Sequence, residues 1–518
     1  MPSPFSRNDR RVRPPGAGAP NSVRVPIRRR RSLQAALLCL AAFVTAAAVA
    51  VRVFDAMPHL EDEQANLFQA MIFARGEVAA PAPPSPDAFF IPFTIIRNGI
   101  WFGKYPPGYP FVLALGVLLG APWIVNAAAS ALVLAGVFLL GRDLFDAEVG
   151  LLAAALGAVS PAFVILSGSL LPHPLVAAAL VFFAWGWLRA RRPNQPVAPA
   201  FALLAGAALG LAAISRPWTA LAVALPFIAL SLFDLVRGFR RALRIYLPLG
   251  GACMALCALL PLYNYAVAGD PFINTYTLWW SYDTVGFGTG IGIGSGHTLP
   301  LGLLNAYLDL SAFQTAITGW PAPLGFPLAI LPLGFGLVMA PRSRRDALLV
   351  LPPILLILAY LAYWARSGEF YGGRYYSEGM PFLWLLAARG LIKFSAGKWR
   401  LRLLRAALPA FLAWSIAFQI NPRFVQGRGL YQIDRRGYAA VAEAGLHNAL
   451  VIVGIGYWTD YANFSWLNSP FLDGDVIYTR DLEGPGNGQI IRLFPGREVY
   501  YYSRSLPGCL LIPYDVRE

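Results

Sequence analysis

The chain returns again and again to long apolar runs separated by short basic clusters, and nothing constrains its fold more. The first run, residues 33–53, carries one charged side chain, Arg52. It is long enough for a bilayer core, which takes ~20 apolar residues. Ten further runs follow at 122–141, 149–167, 174–190, 199–214, 218–236, 244–266, 321–340, 346–364, 376–394 and 403–420. A backbone in lipid must satisfy its own hydrogen bonds, so such runs have to be helical. Charged residues make up only 13% of the chain and hydrophobic residues 57%, whereas soluble domains carry roughly 25% charge. The fold class is therefore mainly α: a polytopic membrane protein with about eleven spans.

The net charge of +15 does not indicate a nucleic-acid partner, because the basic residues cluster between spans instead of forming a stripe. With the N-terminus inside, 25 Lys and Arg fall in the cytoplasmic segments and seven in the outer loops, the asymmetry expected of membrane topology. The bilayer is thus one partner, and the expected location is a bacterial inner membrane with the C-terminus periplasmic. Residues 1–32 read as a disordered basic cytoplasmic tail, and the first span as uncleaved. Cys39, Cys253, Cys257 and Cys509 show no spacing for a disulfide framework or a zinc site.

Two outer segments stand out. The first span leads into His59-Leu60-Glu61-Asp62-Glu63, three adjacent carboxylates at the outer membrane boundary. Residues 64–79 then have the spacing of an interfacial amphipathic helix. Pro107 to Gly120 is apolar but too short to span, and reads as a second interfacial or re-entrant helix. Residues 267–320 hold Tyr276, Trp279, Trp280, Tyr282 and a glycine at every second position from 286 to 296, a gating loop or a plain linker. Three domains result: the tail 1–32, a transmembrane catalytic domain 33–420, and a small periplasmic α/β domain 421–518. The last is read from a helix at 437–447 and strands at 449–455, 475–479 and 498–502.

Charges retained near a membrane are expensive, so those gathered at one level carry functional weight. On the outer side these are Glu61, Asp62, Glu63, Lys104, His173, Arg216, Glu369, Arg374 and Glu378. Carboxylates and cations on one face suit group transfer from an anionic lipid-linked substrate. Fixed cations stabilise the phosphate as it leaves, and a carboxylate takes the proton of an acceptor hydroxyl. Asp62 is the first candidate for that base, with Glu63 its neighbour or substitute. Glu61 reads as a solvated bystander. His59, Asp62, Glu63 and His173 are of the types that bind a divalent cation, but the pattern does not demand one, so no metal or other cofactor is assigned.

The order of motifs resembles the GT-C superfamily of membrane glycosyltransferases, particularly the protein O-mannosyltransferase and lipid A aminoarabinose transferase group. Asp62-Glu63, followed by a helix ending in Ala74-Arg75-Gly76, is similar to that group's first-loop acidic motif. Gly103-Lys104-Tyr105-Pro106-Pro107-Gly108 resembles its Lys-Pro-Pro stretch. Gly141-Arg142-Asp143-Leu144-Phe145 and Arg374-Tyr375-Tyr376 resemble its cytoplasmic turn and late Arg-Tyr motif. The resemblance covers roughly residues 33–420. It implies the superfamily's helical bundle and an inverting transfer of a sugar from a polyprenyl-phosphate donor to a lipid, glycan or protein acceptor. Lys104, Tyr105, Arg216, Arg374 and Tyr375 would then hold the donor phosphate. The group often carries an acidic residue in its second outer loop where this chain has His173, which leaves His173 as a carboxylate replacement, an acceptor contact or a helix cap. A transporter or flippase, and a noncatalytic envelope-assembly subunit, are the readings from other classes. No internal repeat of the transporter kind is visible.

Overall fold

The computed structural model describes residues 24–192, 199–320, 344–368, 370–504 and 510–514. The candidate span 321–340, Glu369, Cys509 and residues 1–23 of the tail lie outside these residues. Each of the ten other apolar runs is realised as a helix or a helix pair. The helices up to the first outer platform are α1 (Arg24–Arg52), α2 (Glu61–Ala74) and α3 (Gly108–Leu118). There follow α4 (Ile124–Leu144), α5 (Ala147–Ala158), α6 (Pro161–Gly168), α7 (His173–Ala190), α8 (Pro199–Ser215) and α9 (Pro217–Arg237). Then come α10 (Phe239–Cys257), α11 (Leu259–Ala268), the one-turn α12 (Tyr276–Trp279), α13 (Leu299–Thr318), α14 (Arg344–Tyr360), α15 (Met380–Phe394) and α16 (Lys398–Ser415).

Among the described residues six helices are long and apolar enough to cross a membrane, and α5 with α6 forms a seventh, bent by 64°. The bend sits at Ser160-Pro161, where proline can open a helix but cannot continue one. This is an integral membrane protein. Its core is built from small residues: Ala153, Ala184, Ala205, Ala212 and Ala220 are each at most 1% exposed. Small side chains let helices approach closely, which is how packing proceeds in lipid without a hydrophobic drive between helices.

The first outer loop is more ordered than its composition suggests. Beside α2 and α3 it holds a three-stranded antiparallel sheet in the order β1 (Ala80–Pro81), β3 (Ile100–Gly103), β2 (Thr94–Arg97). β2 and β3 join through Asn98 (φ 51°) and Gly99 (φ 79°), with Arg97 opposite Ile100. Two positive φ values in a two-residue loop make a type I′ hairpin, the geometry that Asn-Gly favours. Gly103 ends β3 against α2, where a Cβ would meet the Ala65 carbonyl at 3.0 Å. That close approach brings Lys104 beside the head of α2.

Helix α16 runs on through Ile416–Ile420 into α17 (Asn421–Gly427), so the α/β unit takes up after Gly427. It contains α18 (Arg436–Glu443), β4 (Ala449–Val453), α19 (Trp458–Ser465), β5 (Val476–Arg480), α20 (Gly484–Leu493), β6 (Glu498–Ser503) and β7 (Leu510–Pro513). The sheet order is β5-β4-β6-β7, parallel except for the β6–β7 pair. All five residues of β4 are buried, as expected of a central parallel strand covered on both faces. Leu450 packs with Ile477, with Ile490 of α20 and with Phe68 of α2. Val451 and Val453 face the other way, towards Phe464 of α19. The unit therefore sits on α2 through one face, and Gln64 ties them by bonds to the Ala462 carbonyl (2.9 Å) and the Ser465 hydroxyl (2.8 Å).

Candidate active site

A cavity of about 510 Å³ opens where the first outer loop, the loop after α11 and the outer ends of α7, α9 and α14 meet. Asp62, Lys104, Tyr105, His173, Arg216, Arg374 and Tyr375 all line it. Of the sequence-derived candidates among the described residues, Glu63 and Glu378 do not. Glu63 is 1% exposed, and its Oε2 accepts from the backbone N–H of His59 (2.6 Å) and of Leu60 (3.2 Å), its Oε1 from that of Leu170 (2.9 Å). A glutamate one turn into a helix can cap the preceding backbone in this way. Glu63, read from the sequence as the neighbour or substitute of Asp62, thus ties the head of α2 to the α6–α7 turn. Burial pushes its pKa up to about 7 against these three bonds.

Asp62 lies at the centre. Its Oδ1 accepts from the Tyr105 hydroxyl, and its Oδ2 pairs with Arg374 Nη2 at 3.1 Å. Burial works to raise its pKa, but Arg374, Tyr105 and Lys104 together hold the carboxyl below its ordinary value. Arg374 arrives on a turn whose Gly373 has φ 69°, and a Cβ there would meet the Asp309 carbonyl at 2.5 Å. Only glycine fits that conformation at that distance. Tyr375 stacks on Tyr360 (4.8 Å, 16°), and the Arg374 and Arg216 guanidiniums each lie 5.7 Å from its ring.

His173, the residue in place of a second-loop carboxylate, is itself paired with one. Its Nδ1 is 3.0 Å from Glu378 Oε1, and Arg216 Nη1 reaches the same oxygen at 3.2 Å. Arg216 also donates to the Tyr360 hydroxyl at 2.6 Å. The acidic group of the second-loop level is therefore supplied by the turn before α15, over 200 residues away.

Lys104 is nearly enclosed, its side chain 3% exposed. Its Nζ pairs with Asp283 Oδ2 at 3.2 Å and lies 3.7 Å from the Phe93 ring centre and 4.9 Å from that of Trp280. Phe93 has φ 61°, an uncommon conformation for an aromatic residue, of the kind that clusters at functional sites. Asp283 was not among the sequence candidates. Its signal was a lone acid in the aromatic Trp280–Tyr282 stretch of an outer loop. The loop is pinned, with Val285 bridging Tyr363 and Gly288 bridging His297. Glu61, read as a bystander, lines the cavity, and its side chain makes no hydrogen bond or ion pair among the described residues.

The side chains considered for a divalent cation do not converge. His59 faces the Met57 carbonyl through Nδ1 (3.0 Å) and Glu63 faces backbone. Among the described residues no group of three or more His, Cys, Asp and Glu is gathered as a metal would need.

The bundle, with its interfacial first-loop platform, a charged cavity at one end and a small sheet-bearing unit beside it, shares its fold with solved structures of ArnT. It resembles the crystal structure of ArnT from Cupriavidus metallidurans bound to undecaprenyl phosphate, with TM-score 0.56 and 14% identity over 91% of this chain and 92% of that one. For apo ArnT the values are TM-score 0.58 and 14% identity over 93% and 94%. Residues 104–265 match the family model of dolichyl-phosphate-mannose-protein mannosyltransferases. Family model and fold thus agree with the resemblance read from the motifs. No curated protein sequence matches the chain.

Proposed function

We propose that the protein is an inverting glycosyltransferase that moves a sugar from a polyprenyl-phosphate donor to an acceptor hydroxyl at the periplasmic side of a bacterial inner membrane. The observation that carries this is one cavity in which a carboxylate on α2, Asp62, stands among the cations Lys104, Arg374 and Arg216. The fold shared with ArnT, the family model over 104–265 and the undecaprenyl phosphate bound in the ArnT crystal structure support the donor class.

In this reading the acceptor oxygen attacks the anomeric carbon from the face opposite the phosphate. The carbon–oxygen bond to phosphate breaks, and its electron pair leaves with the lipid phosphate. Lys104 and Arg374 balance the charge that develops there, and Arg216 and Tyr105 complete the phosphate side. Fixed charges in a water-poor site stabilise such a transition state without reorganising. Asp62 takes the hydroxyl proton, and one positioned base contributes ~10²–10⁴-fold. His173, held by Glu378, faces the acceptor, and Tyr375 orients the two arginines. The periplasmic unit docked on α2 suits a role in presenting that acceptor, whether lipid, glycan or protein.

The test is purified protein in lipid with labelled polyprenyl-phosphate sugars and candidate acceptors. Donor-dependent transfer that is lost in Asp62→Asn supports the assignment. Movement of the lipid-linked sugar across liposomes without any transfer would overturn it in favour of a flippase.

A further inference from the structure

Lys104 presents a physical problem that the transfer scheme leaves open. An ammonium removed from water is costly to keep charged, yet only a charged one can hold a phosphate. Four aromatic rings surround Nζ: Phe93 at 3.7 Å, Trp280 at 4.9 Å, Tyr276 at 5.2 Å and Tyr105 at 5.3 Å. Cation–π contact returns part of the lost hydration, but rings carry no net charge to balance it. Asp283 does. Its Oδ2 meets Nζ at 3.2 Å, while Oδ1 accepts from the Tyr363 hydroxyl (3.0 Å) and Trp364 Nε1 (3.1 Å). Its backbone is held as well, by its own N–H to the Trp280 carbonyl (2.9 Å) and by Asn274 on its carbonyl (3.3 Å). On the other side the Thr275 hydroxyl bonds the Lys104 carbonyl at 2.6 Å.

We infer that Asp283 is a positioning residue for Lys104: it fixes the ammonium in its ring of aromatic side chains at the cavity wall and supplies the counter-charge the ammonium needs there. The inference rests on the transferase reading for the phosphate that Lys104 meets. Burial pulls the Lys104 pKa below its ordinary value. Asp283 is the largest opposing influence, with Asp62 and Glu61 acting in the same direction from α2. The side chains in contact with the pair, Phe93, Tyr105, Tyr276, Trp280, Tyr363 and Trp364, are neutral donors or rings, and the cations Arg216, Arg366 and Arg374 line the same cavity. Removing the Asp283 charge therefore lets the Lys104 pKa fall further. It also takes one negative charge away from the place where a phosphate must land.

Those two effects have opposite signs at the two ends of the pH range, and this makes the test sharp. Binding of undecaprenyl phosphate to the full chain is measured from pH 6 to pH 9 for wild type, Asp283→Asn and Asp283→Glu. The expected result is a crossing. At pH 6 Asp283→Asn binds at least as tightly as wild type, and relative to wild type it loses affinity as the pH rises, by about 10-fold once Lys104 deprotonates. Asp283→Glu restores the wild-type profile. An equal loss at every pH, or no change at any pH, overturns the inference. A second measurement needs no donor: an amine-selective reagent attacks only neutral lysine, and Lys104 labelling is followed by mass spectrometry. Faster labelling of Lys104 at pH 8 in Asp283→Asn supports the inference, and unchanged labelling overturns it. If wild type binds no polyprenyl phosphate the transferase reading fails, whereas the labelling result still decides the Lys104–Asp283 coupling.

Discussion

Two carboxylates at opposite ends of the bundle, Asp62 and Asp143, are each paired with arginine, and they are not equivalent. Asp143, in the last turn of α4, meets Arg189 Nε at 2.5 Å, Arg192 Nη2 at 2.8 Å, Arg142 Nε at 3.5 Å and Trp185 Nε1 at 2.8 Å. Its side chain is 6% exposed, and it is absent from the cavity lining. Asp62 meets one arginine and one tyrosine, and its side chain remains 25% exposed beside about 510 Å³ of open volume. Asp143 is a closed clasp joining α4 to α7. Asp62 is paired but still open to a ligand. Charge pairing at a membrane boundary therefore does not mark a site by itself; the unfilled space beside the pair does.

Paired substitutions test that distinction. Asp62→Asn is expected to lower the transfer rate by ~10²–10⁴-fold while the melting temperature stays near that of wild type. Asp143→Asn should do the reverse. It should cost about 1–3 kcal/mol of stability, since the arginines around it are partly exposed, and leave the rate per folded molecule unchanged. Melting curves beside initial rates check both, and an exchange of the two outcomes would break the comparison. Lysine and arginine at the two ends should divide in the same way. Lys104→Met removes a charge-assisted contact, and the donor KM should rise about 10–100-fold. Arg191→Gln, which breaks the inner pair with Asp234 (2.6 Å), should leave donor KM as it was.

The helical bundle was readable because lipid forces helices and makes charges scarce, so Asp62, Lys104, Arg216 and Arg374 stood out against an apolar background. The phase within the acidic cluster was not readable. Three consecutive helical residues point about 100° apart, and only the packing of α2 on β3 and on the α6–α7 turn decides which faces the cavity. That packing buries Glu63 on backbone N–H groups and leaves Glu61 on the lining, the opposite of the order read from the sequence. Asp283 escaped for a different reason. Its partner Lys104 is 179 residues away, and no local pattern records such a pairing. The Asn98-Gly99 hairpin, which delivers Lys104, does have a local two-residue signal, but it went unread in the sequence.

The smallest expected effect concerns Glu61, and it bears most finely on what open means. The cavity-lining carboxylates Asp62 and Asp283 are each ion-paired, whereas Glu61 has no hydrogen bond or ion pair among the described residues. Burial first, and then the neighbouring Asp62 charge, raise its pKa above that of an ordinary glutamate. A carboxylate facing a sugar-sized cavity suits sugar hydroxyls, which donate to the anion. Because the pKa is raised, the anion is lost at a higher pH than for an exposed glutamate, and the wild-type KM should climb as the pH falls through that range. Glu61→Gln keeps an accepting oxygen but cannot titrate. It should raise KM only ~2–10-fold, hold kcat, and flatten the acid side of the KM–pH profile. Donor and acceptor KM, measured separately, show which sugar it meets. If kcat falls instead as far as in Asp62→Asn, the proton goes to Glu61. Asp62 then becomes the residue that holds Arg374 and Tyr105 in place, and the open carboxylate of the outer site lies one residue earlier on α2.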